Sequence, residues 1–201
     1  VSETVLMAMD TLQKAGMTTE RNDTLPMEDA LYAYMGIFRK HGNPAFKSAL
    51  GGGKRYNLLI EVLRQLVGRG RISARVLYFA IAFDYAGWEA KRKGLNTFEK
   101  LEEIRQSFLN TMGEGGVILC PLFITPPPKH GWTWQLRQNP VYSLMFNALG
   151  FPAVIVPLRY NEQGLPLAVQ IVARPEEDEV ALAVASELER VHGGWKMAKV
   201  I

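Results

Sequence analysis

The sequence predicts an α/β fold in which a mixed β-sheet is flanked by helices, and the first half of the chain is rich in helix. An apolar segment at 153–156, bounded by prolines, is typical of a strand that is buried on both faces. A second apolar segment, 167–173, follows the polar turn 161–164 at a spacing that suits a hairpin. Helical periodicity at 139–149 and 177–192 places a helix on each side of this hairpin.

The composition is that of an ordinary globular protein. The chain has 201 residues, of which 48% are hydrophobic and 21% are charged, so one domain is expected and the length also allows two. A net charge of +3 is too weak on its own to indicate a nucleic-acid partner, and we expect none. The single cysteine excludes an internal disulfide and fits a reducing compartment.

The amino-terminal end shows no signal-peptide pattern, and no apolar run approaches the length of a membrane-spanning helix. We therefore expect an intracellular protein that is cytoplasmic or bound to the periphery of a membrane. The first residue is Val1 instead of a methionine, which indicates a piece of a longer protein. A helical pattern at 2–15 and a candidate strand at 17–21 agree with this, because together they form the second half of a βαβ unit.

A glycine run at 51–53, followed by Lys54, invites comparison with a phosphate-binding loop. The Walker pattern requires a glycine five positions before its second glycine and Ser or Thr after the lysine, whereas this chain has Ser48 and Arg55 there. A flexible hinge is the better interpretation. No nucleotide or other cofactor is expected.

Residues 54–93 are predicted to form a helical hairpin. Its first helix has an apolar stripe. Between residues 54 and 75, Glu61 is the single acid among six basic residues, which are Lys54, Arg55, Arg64, Arg69, Arg71 and Arg75. The second helix is rich in aromatic residues. The hairpin either packs on the core with solvated arginines or forms an interfacial cap, with its apolar side in lipid and its arginines at anionic headgroups. A membrane surface is thus a candidate partner through residues 54–88.

Residues 115–201 are predicted to be the sheet-and-helix core. A strand at 116–120 is closed by a proline, and the proline-rich loop 122–131 follows it. This loop lies at the carboxyl end of a strand, where open α/β sheets place ligand crevices. Trp132 and Trp134 come directly after the loop, so we expect apolar bulk at the edge of a pocket.

No catalytic motif is recognisable in the chain. None of the six serines lies in a Gly/Ser-rich run or in a Gly-x-Ser-x-Gly elbow. His41, His130 and His192 lack the spacing of metal ligands, so no metal site is expected. Cys120 ends an apolar strand and is expected to be a buried, inert thiol. Gln170 lies on an otherwise apolar strand, where a bond to neighbouring backbone is favoured over a contact with substrate.

Several of these motifs resemble the carboxy-terminal signature of the amidase signature family. They are Phe-Asn-Ala-Leu-Gly-Phe-Pro-Ala at 146–153, Val-Pro at 156–157 and Gly-Leu-Pro-Leu-Ala-Val-Gln at 164–170. Leu-Glu at 188–189 and Gly-Gly-Trp at 193–195 are similar to the tail of the family's fatty-acid amide hydrolase branch. The resemblance is specific over about the last two fifths of the chain and only pattern-like before it.

Three positions depart from the family pattern. Ala168 replaces the usual glycine before Val-Gln, and Arg159 and Arg174 stand where small residues are usual. These residues bring bulk to both ends of the predicted hairpin.

The resemblance implies that residues 1–201 are the carboxy-terminal portion of an amidase-type α/β domain, which hydrolyses a carbon–nitrogen amide bond, with fatty-acid amides as candidate substrates. The family uses a serine that is activated through a second serine and a neutral lysine. Those residues belong to an amino-terminal part that is not in this sequence. No catalytic residue is therefore assigned, and the missing amino-terminal part of the same protein is an expected partner.

The resemblance also implies that the loop after the strand at 116–120 lines the acyl-binding side of the site. The implied substrate-binding residues are Phe123, Ile124, Thr125, Tyr142 and Phe146. A membrane cap in the 54–93 region is typical of the fatty-acid amide hydrolase branch. The alternative function is a non-catalytic acyl- or membrane-binding protein that is derived from the same fold.

Overall fold

The computed structural model of the protein describes residues 2–42, 57–128 and 139–197. These residues contain seven α-helices, one short π-helix and a three-stranded β-sheet, which confirms the predicted α/β class and its helix-rich first half. The chain divides into two compact units. The first is formed by Val1–Met27 with Arg105–Ile201, and the second by Glu28–Ile104.

The sheet belongs to the first unit and has the order β1-β3-β2. Its strands are β1 (Ile118–Pro121), β2 (Ala153–Tyr160) and β3 (Pro166–Val172). Both β1 and β2 pair antiparallel with the central β3. The described strands therefore show the antiparallel part of the expected mixed sheet, and they include no parallel pair.

The hairpin between β2 and β3 turns at Asn161, as predicted. The side-chain oxygen of Asn161 accepts hydrogen bonds from the backbone N–H groups of Gln163 and Leu165, at 3.0 and 2.8 Å. Gly164 has a φ of 76°, a left-handed conformation that glycine adopts without steric cost. This turn chemistry fixes the register of the two strands.

The predicted bounds and burial of β2 are wrong. Pro157 does not close the strand, which continues to Tyr160 past a register shift between Pro157 and Arg159. Because β2 is an edge strand of the described sheet, a residue without an N–H group is tolerated there. Ile155 is 49% exposed, so the strand is not covered on both faces. Pro121 is likewise the last residue of β1 and does not lie beyond it.

Two helices cover one face of the sheet. They are α1 (Ser2–Lys14) and α7 (Asp178–His192), the first and last helices of the chain. Together with the strands they form one apolar core, whose buried members include Ala8, Leu12, Val156, Leu158, Val169, Ile171, Ala181, Val184 and Leu188. The side chains at 169 and 171 therefore point to this face, and Gln170 points to the other face because side chains alternate along a strand. Gly193 closes α7 with a φ of 81°.

The strand that was predicted at 17–21 is absent, since these described residues have no helix or strand assignment. They are mostly exposed, and the segment has no neighbouring strand with which to share its backbone groups. The chain passes directly from α1 to the next helix, so the βαβ interpretation of the amino-terminal end is wrong.

The other face of the sheet lies under α6 (Asn139–Leu149), and α5 (Phe98–Met112) precedes β1 in the chain. The amide of Gln170 donates to the backbone oxygen of Tyr142 in α6, which places α6 on this face. Phe108 of α5 makes edge-to-face contacts with Phe146 and Phe151, with ring centroids 6.1 and 6.2 Å apart. These aromatic contacts hold the two helices together.

Three arginines bond segments that are far apart in the sequence. Arg174 donates to the carbonyl oxygens of Leu109 and Gly113 at 3.1 and 2.8 Å, at the end of α5. Arg105 donates to the carbonyl oxygen of Leu149 at 3.1 Å, at the end of α6. Carbonyls in the last turn of a helix have no partner within the helix, so each arginine satisfies such a group.

The third arginine, Arg159, connects β2 to the start of α1. Its guanidinium lies 2.8 Å from the carboxylate of Glu3 and donates to the hydroxyl of Thr4 at 3.2 Å. The bulk that Arg159 and Arg174 bring to the hairpin is therefore used in bonds to α1 and α5.

The second unit contains α2 (Met27–Ile37), which continues as a π-helix (Phe38–Gly42), together with α3 (Leu58–Leu66) and α4 (Ala74–Arg92). Both α3 and α4 lie within the predicted 54–93 region. Asn57 caps α3 by accepting from the N–H groups of Leu59 and Ile60, and Ser73 caps α4 by accepting from Val76. Gly36 allows the backbone of α2 to approach Ala90, since a Cβ at this position would lie 2.8 Å from that side chain.

The Cys120 thiol is predicted to be unreactive in the folded protein. It is 5% exposed, and burial raises its pKa to about 12. The thiol therefore stays neutral until the pH approaches this value, and at about pH 8 its thiolate population is about a thousandfold below that of an exposed thiol. Iodoacetamide should label the native chain at least that much more slowly than the urea-unfolded chain. Equal rates in the two states would contradict the buried position.

Candidate functional site

The first group of predicted site residues lies in the loop after β1. Residues 122–128 of this loop have no helix or strand assignment. Phe123 is 38% exposed, whereas Ile124 and Thr125 are half-buried. The loop thus presents an aromatic ring to its surroundings directly beyond the edge of the sheet.

The hydroxyl of Thr125 is the most informative group in this loop. Its oxygen is inaccessible to solvent and has no hydrogen-bond partner in the described part of the chain. A buried hydroxyl without a partner is unfavourable, and such a group in a folded protein calls for an explanation. A ligand that reaches the loop is one group that can satisfy it.

The second group of predicted site residues lies on α6. Tyr142 is half-buried, and its carbonyl oxygen accepts the bond from Gln170. Phe146 is 2% exposed and packs edge-to-face on Phe108, so its ring belongs to the core between α5 and α6. Phe146 can therefore shape the floor of a pocket from the inside, and of the two residues Tyr142 has the more accessible surface.

Gln170 links the two groups. It is 3% exposed, and its Nε2 donates to the Tyr142 carbonyl oxygen at 3.4 Å. The same residue lies opposite Cys120 in the sheet, three positions before Phe123. The expectation that Gln170 bonds to neighbouring backbone is confirmed. Its bond connects α6 to β3, which pairs with the strand that leads into the loop.

Several described side chains of catalytic type make structural contacts. Ser73 caps α4, and the hydroxyl of Ser186 donates to the carbonyl oxygen of Leu182 within α7. His192 bonds to the hydroxyl of Thr11 at 2.8 Å, and the ring of His41 lies 5.4 Å from that of Phe98. No group of three or more His, Cys, Asp or Glu in the described residues could hold a metal ion.

Other residues singled out in the sequence lie outside the described residues. They are the glycine run with Lys54 and Arg55, together with His130, Trp132 and Trp134. The side chain of Arg75 lies outside them as well. The side chain of Asn139 is also outside them, although its backbone is the first residue of α6.

A second candidate surface lies on α3 and α4 in the other unit. Apolar and aromatic side chains are exposed along both helices, and they are Leu59, Ile60, Leu63, Leu66, Phe79, Ile81, Tyr85 and Trp88. Leu59 and Leu66 have the most accessible surface of these, at 72% and 78%. Exposed apolar side chains that form a contiguous surface are typical of sites of interaction with a protein or a membrane. Among the described helices, none has the length and apolarity needed to cross a bilayer.

The structural contacts of several residues were not predicted. Glu61 is buried on α3, Arg105 bonds the end of α6, and Arg174 bonds the end of α5. The sequence carried a signal only for Glu61, as the one acid in a basic region. The arginines act through carbonyl oxygens that lie 44 and 61 residues away, and such pairing leaves no local pattern.

Comparison with known proteins agrees with the resemblance. The family model described as Amidase matches residues 1–182. The human protein named fatty-acid amide hydrolase 2 is 41% identical over 99 residues, which cover 49% of this chain and 19% of that protein. Fatty-acid amide hydrolase 2-B of Danio rerio is 26% identical over 81% of this chain and 31% of its own length.

A solved structure supports the same fold. One of the subunits of glutamyl-tRNA(Gln) amidotransferase from Thermotoga maritima superposes with a TM-score of 0.58 and 19% identity, over 94% of this chain and 38% of that one. The chain thus spans less than two fifths of the length of each of these relatives. Since the family model covers most of the sequence, the chain belongs to the amidase family.

Proposed function

We propose that this chain is the carboxy-terminal part of an amidase that hydrolyses a carbon–nitrogen amide bond. The match of residues 1–182 to the amidase family carries the proposal. Support for a partial chain comes from the relatives, of which this sequence covers 19% and 31%. In this proposal the chain supplies the scaffold and one side of the substrate pocket, and a preceding segment supplies the nucleophile, the base and the oxyanion donors.

The role of the scaffold is to position the pocket side. The register of β1 on β3 sets where the loop with Phe123 and Thr125 begins, and the Gln170 bond sets the position of Tyr142. In the proposed pocket, Phe123, Ile124 and Tyr142 offer apolar surface to the acyl part of the substrate, and Phe146 supports them from the core. Thr125 offers the polar contact, to the amide or to a group near it. A few polar groups in a mostly apolar lining are typical of small-molecule sites.

Fatty-acid amides are the proposed substrate class. Two of the relatives carry that activity in their names, and the human protein is 41% identical over the matched half of this chain. The apolar lining proposed for the pocket suits a long acyl chain, because its burial contributes about 0.8 kcal/mol for each methylene.

The second proposed partner is a membrane surface, through residues 54–88. The apolar side chains of α3 are accessible, and Arg69 and Arg71 are exposed in the loop that follows it. Apolar residues beside arginines are the pattern of helices that lie in the interface of a bilayer with anionic lipids. A chain that lacks catalysis but keeps this surface would be a membrane- or acyl-binding protein, which is the alternative function.

The 201-residue chain alone is predicted to have no amide hydrolase activity, because it lacks the serine and lysine machinery. Release of ammonia from oleamide and of aniline from a short anilide should not exceed the blank.

The genomic sequence upstream of Val1 is predicted to encode, in frame, a lysine followed by a Gly/Ser-rich stretch with adjacent serines. The longer product should then hydrolyse oleamide. A start codon close to Val1 would support the binding protein, and turnover by the short chain would refute the division of roles.

The hydroxyl of Thr125 is predicted to contribute to substrate binding in the longer enzyme. Thr125→Val keeps the shape and removes the hydroxyl, so KM should rise about fivefold, which corresponds to one hydrogen bond, while kcat changes little. Thermal stability should be unchanged or higher, because a buried hydroxyl without a partner is removed. Thr125→Ser is the matched control and should retain most of the binding. An unchanged KM in the valine variant would exclude this role.

The chain is predicted to co-sediment with vesicles of phosphatidylcholine and phosphatidylserine. Leu59→Asp with Leu66→Asp should abolish binding, because both side chains are exposed and proposed to enter the bilayer. Arg69→Glu should weaken binding about tenfold on anionic vesicles, by loss of one attraction and gain of one repulsion, and have little effect on neutral ones. Leu182→Asp, an exposed leucine on α7, is the control and should bind normally. Full binding by the double variant would contradict docking through α3.

A further inference from the structure

The α3 helix carries exposed leucines on one side and a buried carboxylate on the other. Its inward positions, three and four residues apart, hold Glu61 and Gln65 beside the half-buried Leu58 and Val62, and Glu61 is only 2% exposed. Its outward positions carry Leu59, Leu63 and Leu66, which are all exposed. A surface helix of a globular protein ordinarily turns its apolar stripe to the core and its charged face to water. Something must therefore hold α3 in this orientation.

Glu61 has two partners that explain its burial. One carboxylate oxygen lies 2.6 Å from Nη1 of Arg64, one turn further along α3. The other accepts the backbone N–H of Arg71 at 3.2 Å, ten residues later in the chain. The hydrogen bond from Arg64 lowers the pKa of Glu61, and the bond from Arg71 adds to this, so the buried side chain is a paired carboxylate.

A second side chain of α3 makes a parallel link to the same loop. The amide of Gln65 donates to the carbonyl oxygen of Ile72. Gly70 passes so close to this amide that a Cβ added at Gly70 would overlap the Gln65 side chain. The loop between α3 and α4 is thus folded back along the inward side of α3, and it is fixed there at Arg71 and Ile72.

The turn that starts this loop is equally well defined. Gly68 adopts a φ of 69°, and its N–H donates to the carbonyl oxygen of Gln65 at 3.1 Å. The N–H of Arg69 donates to the carbonyl oxygen of Arg64 at 2.8 Å. These two bonds form a Schellman motif, which reverses the chain direction at the end of a helix. The reversal carries Arg69 and Arg71 back beside α3.

We propose that Glu61 and Gln65 hold the apolar face of α3 outward, toward a lipid surface, by bonding the 69–72 loop to the inward side of the helix. The choice of lipid as the occupant rests on the membrane docking proposed above. The same contacts hold the loop with the exposed Arg69 and Arg71 beside α3, in the same helix-and-loop element that carries the leucine face. Apolar insertion and headgroup contact then come from one fixed structural element, whose cationic charge complements an anionic bilayer.

The orientation can be tested without a membrane, on the full 201-residue chain. Leu63→Cys introduces an accessible thiol on the outward face, and the native Cys120 is buried and reacts slowly. A water-soluble maleimide should label this thiol rapidly. Adding Glu61→Ala removes the bond from the carboxylate to the loop, so the helix should rotate its leucines inward and the labelling rate should fall about tenfold or more.

Glu89→Ala is the matched control. Glu89 is a buried carboxylate on α4 that pairs with Arg92 three residues later, at 2.5 Å, as Glu61 pairs with Arg64. Its partner is on its own helix, so its removal should leave the labelling of Leu63→Cys unchanged. Gly70→Ala is a second, independent variant, because the added Cβ displaces the Gln65 amide without touching Glu61. It should also slow the labelling.

Vesicle co-sedimentation then separates this inference from the docking proposal. If Glu61→Ala and Gly70→Ala reduce both labelling and vesicle binding while Glu89→Ala reduces neither, the proposal is supported. If labelling falls but the unsubstituted chain does not bind vesicles, Glu61 still orients α3, and docking on lipid is refuted. If labelling stays at the rate of the control in both loop variants, the orienting role of Glu61 and Gln65 is overturned, whatever the vesicles show. Circular dichroism of each variant verifies that its helices are retained.

Discussion

The first unit depends on the burial of β3 on both of its faces. Val169 and Ile171 have no exposed surface and face α1 and α7, while Gln170 faces α6. A strand in this position can tolerate a polar side chain only if that side chain is bonded, because an unpaired buried amide costs more than its bond contributes. The bond of Gln170 to Tyr142 is therefore a condition of the packing. It also couples the position of α6 to the sheet, and through the register with Cys120 to the loop that carries Thr125.

The ends of α5 and α6 impose a second condition on this arrangement. Each helix ends where its last carbonyl oxygens are partly removed from water, and long basic side chains from elsewhere in the chain reach them. Arg174 follows β3 and bonds the end of α5, and Arg105 lies in α5 and bonds the end of α6. The guanidinium of Arg105 also lies 5.7 Å from the ring centroid of Phe151. Arg174 and Arg105 thus join the end of β3, α5 and α6 by polar contacts, next to the aromatic contacts of Phe108. A small residue at 174 could not make this connection.

The sequence predicted those parts of the structure that local chemistry determines. The hairpin was predictable because Asn161 and Gly164 define its turn, and the end of α7 because Gly193 stops it. The continuation of β2 beyond Pro157 was not, since it depends on the strand being at an edge. Of the site residues, Phe123 and Thr125 follow β1 as expected. Helical periodicity also predicted that Phe146 faces the core, but it carried no information on Phe108, its partner 38 positions away in the sequence.

The apolar stripe of α3 is a second case in which the sequence pattern did not determine the contacts. Helical spacing identified the stripe, yet spacing alone does not decide which face of a helix is turned inward when the partner is a loop. In the structure the orientation of α3 buries the Glu61 carboxylate and exposes leucines, and each of these is unfavourable for a helix in water. A rotation of α3 that buries these leucines would also bring Glu61 to the surface. The hydrogen bonds that join Glu61 to Arg71 and Gln65 to Ile72 oppose that rotation. They keep the leucines in contact with water, which is unfavourable in the isolated unit unless another surface covers the leucine face. The contacts of Glu61 and Gln65 with the loop therefore suit a leucine face that is covered by a binding partner.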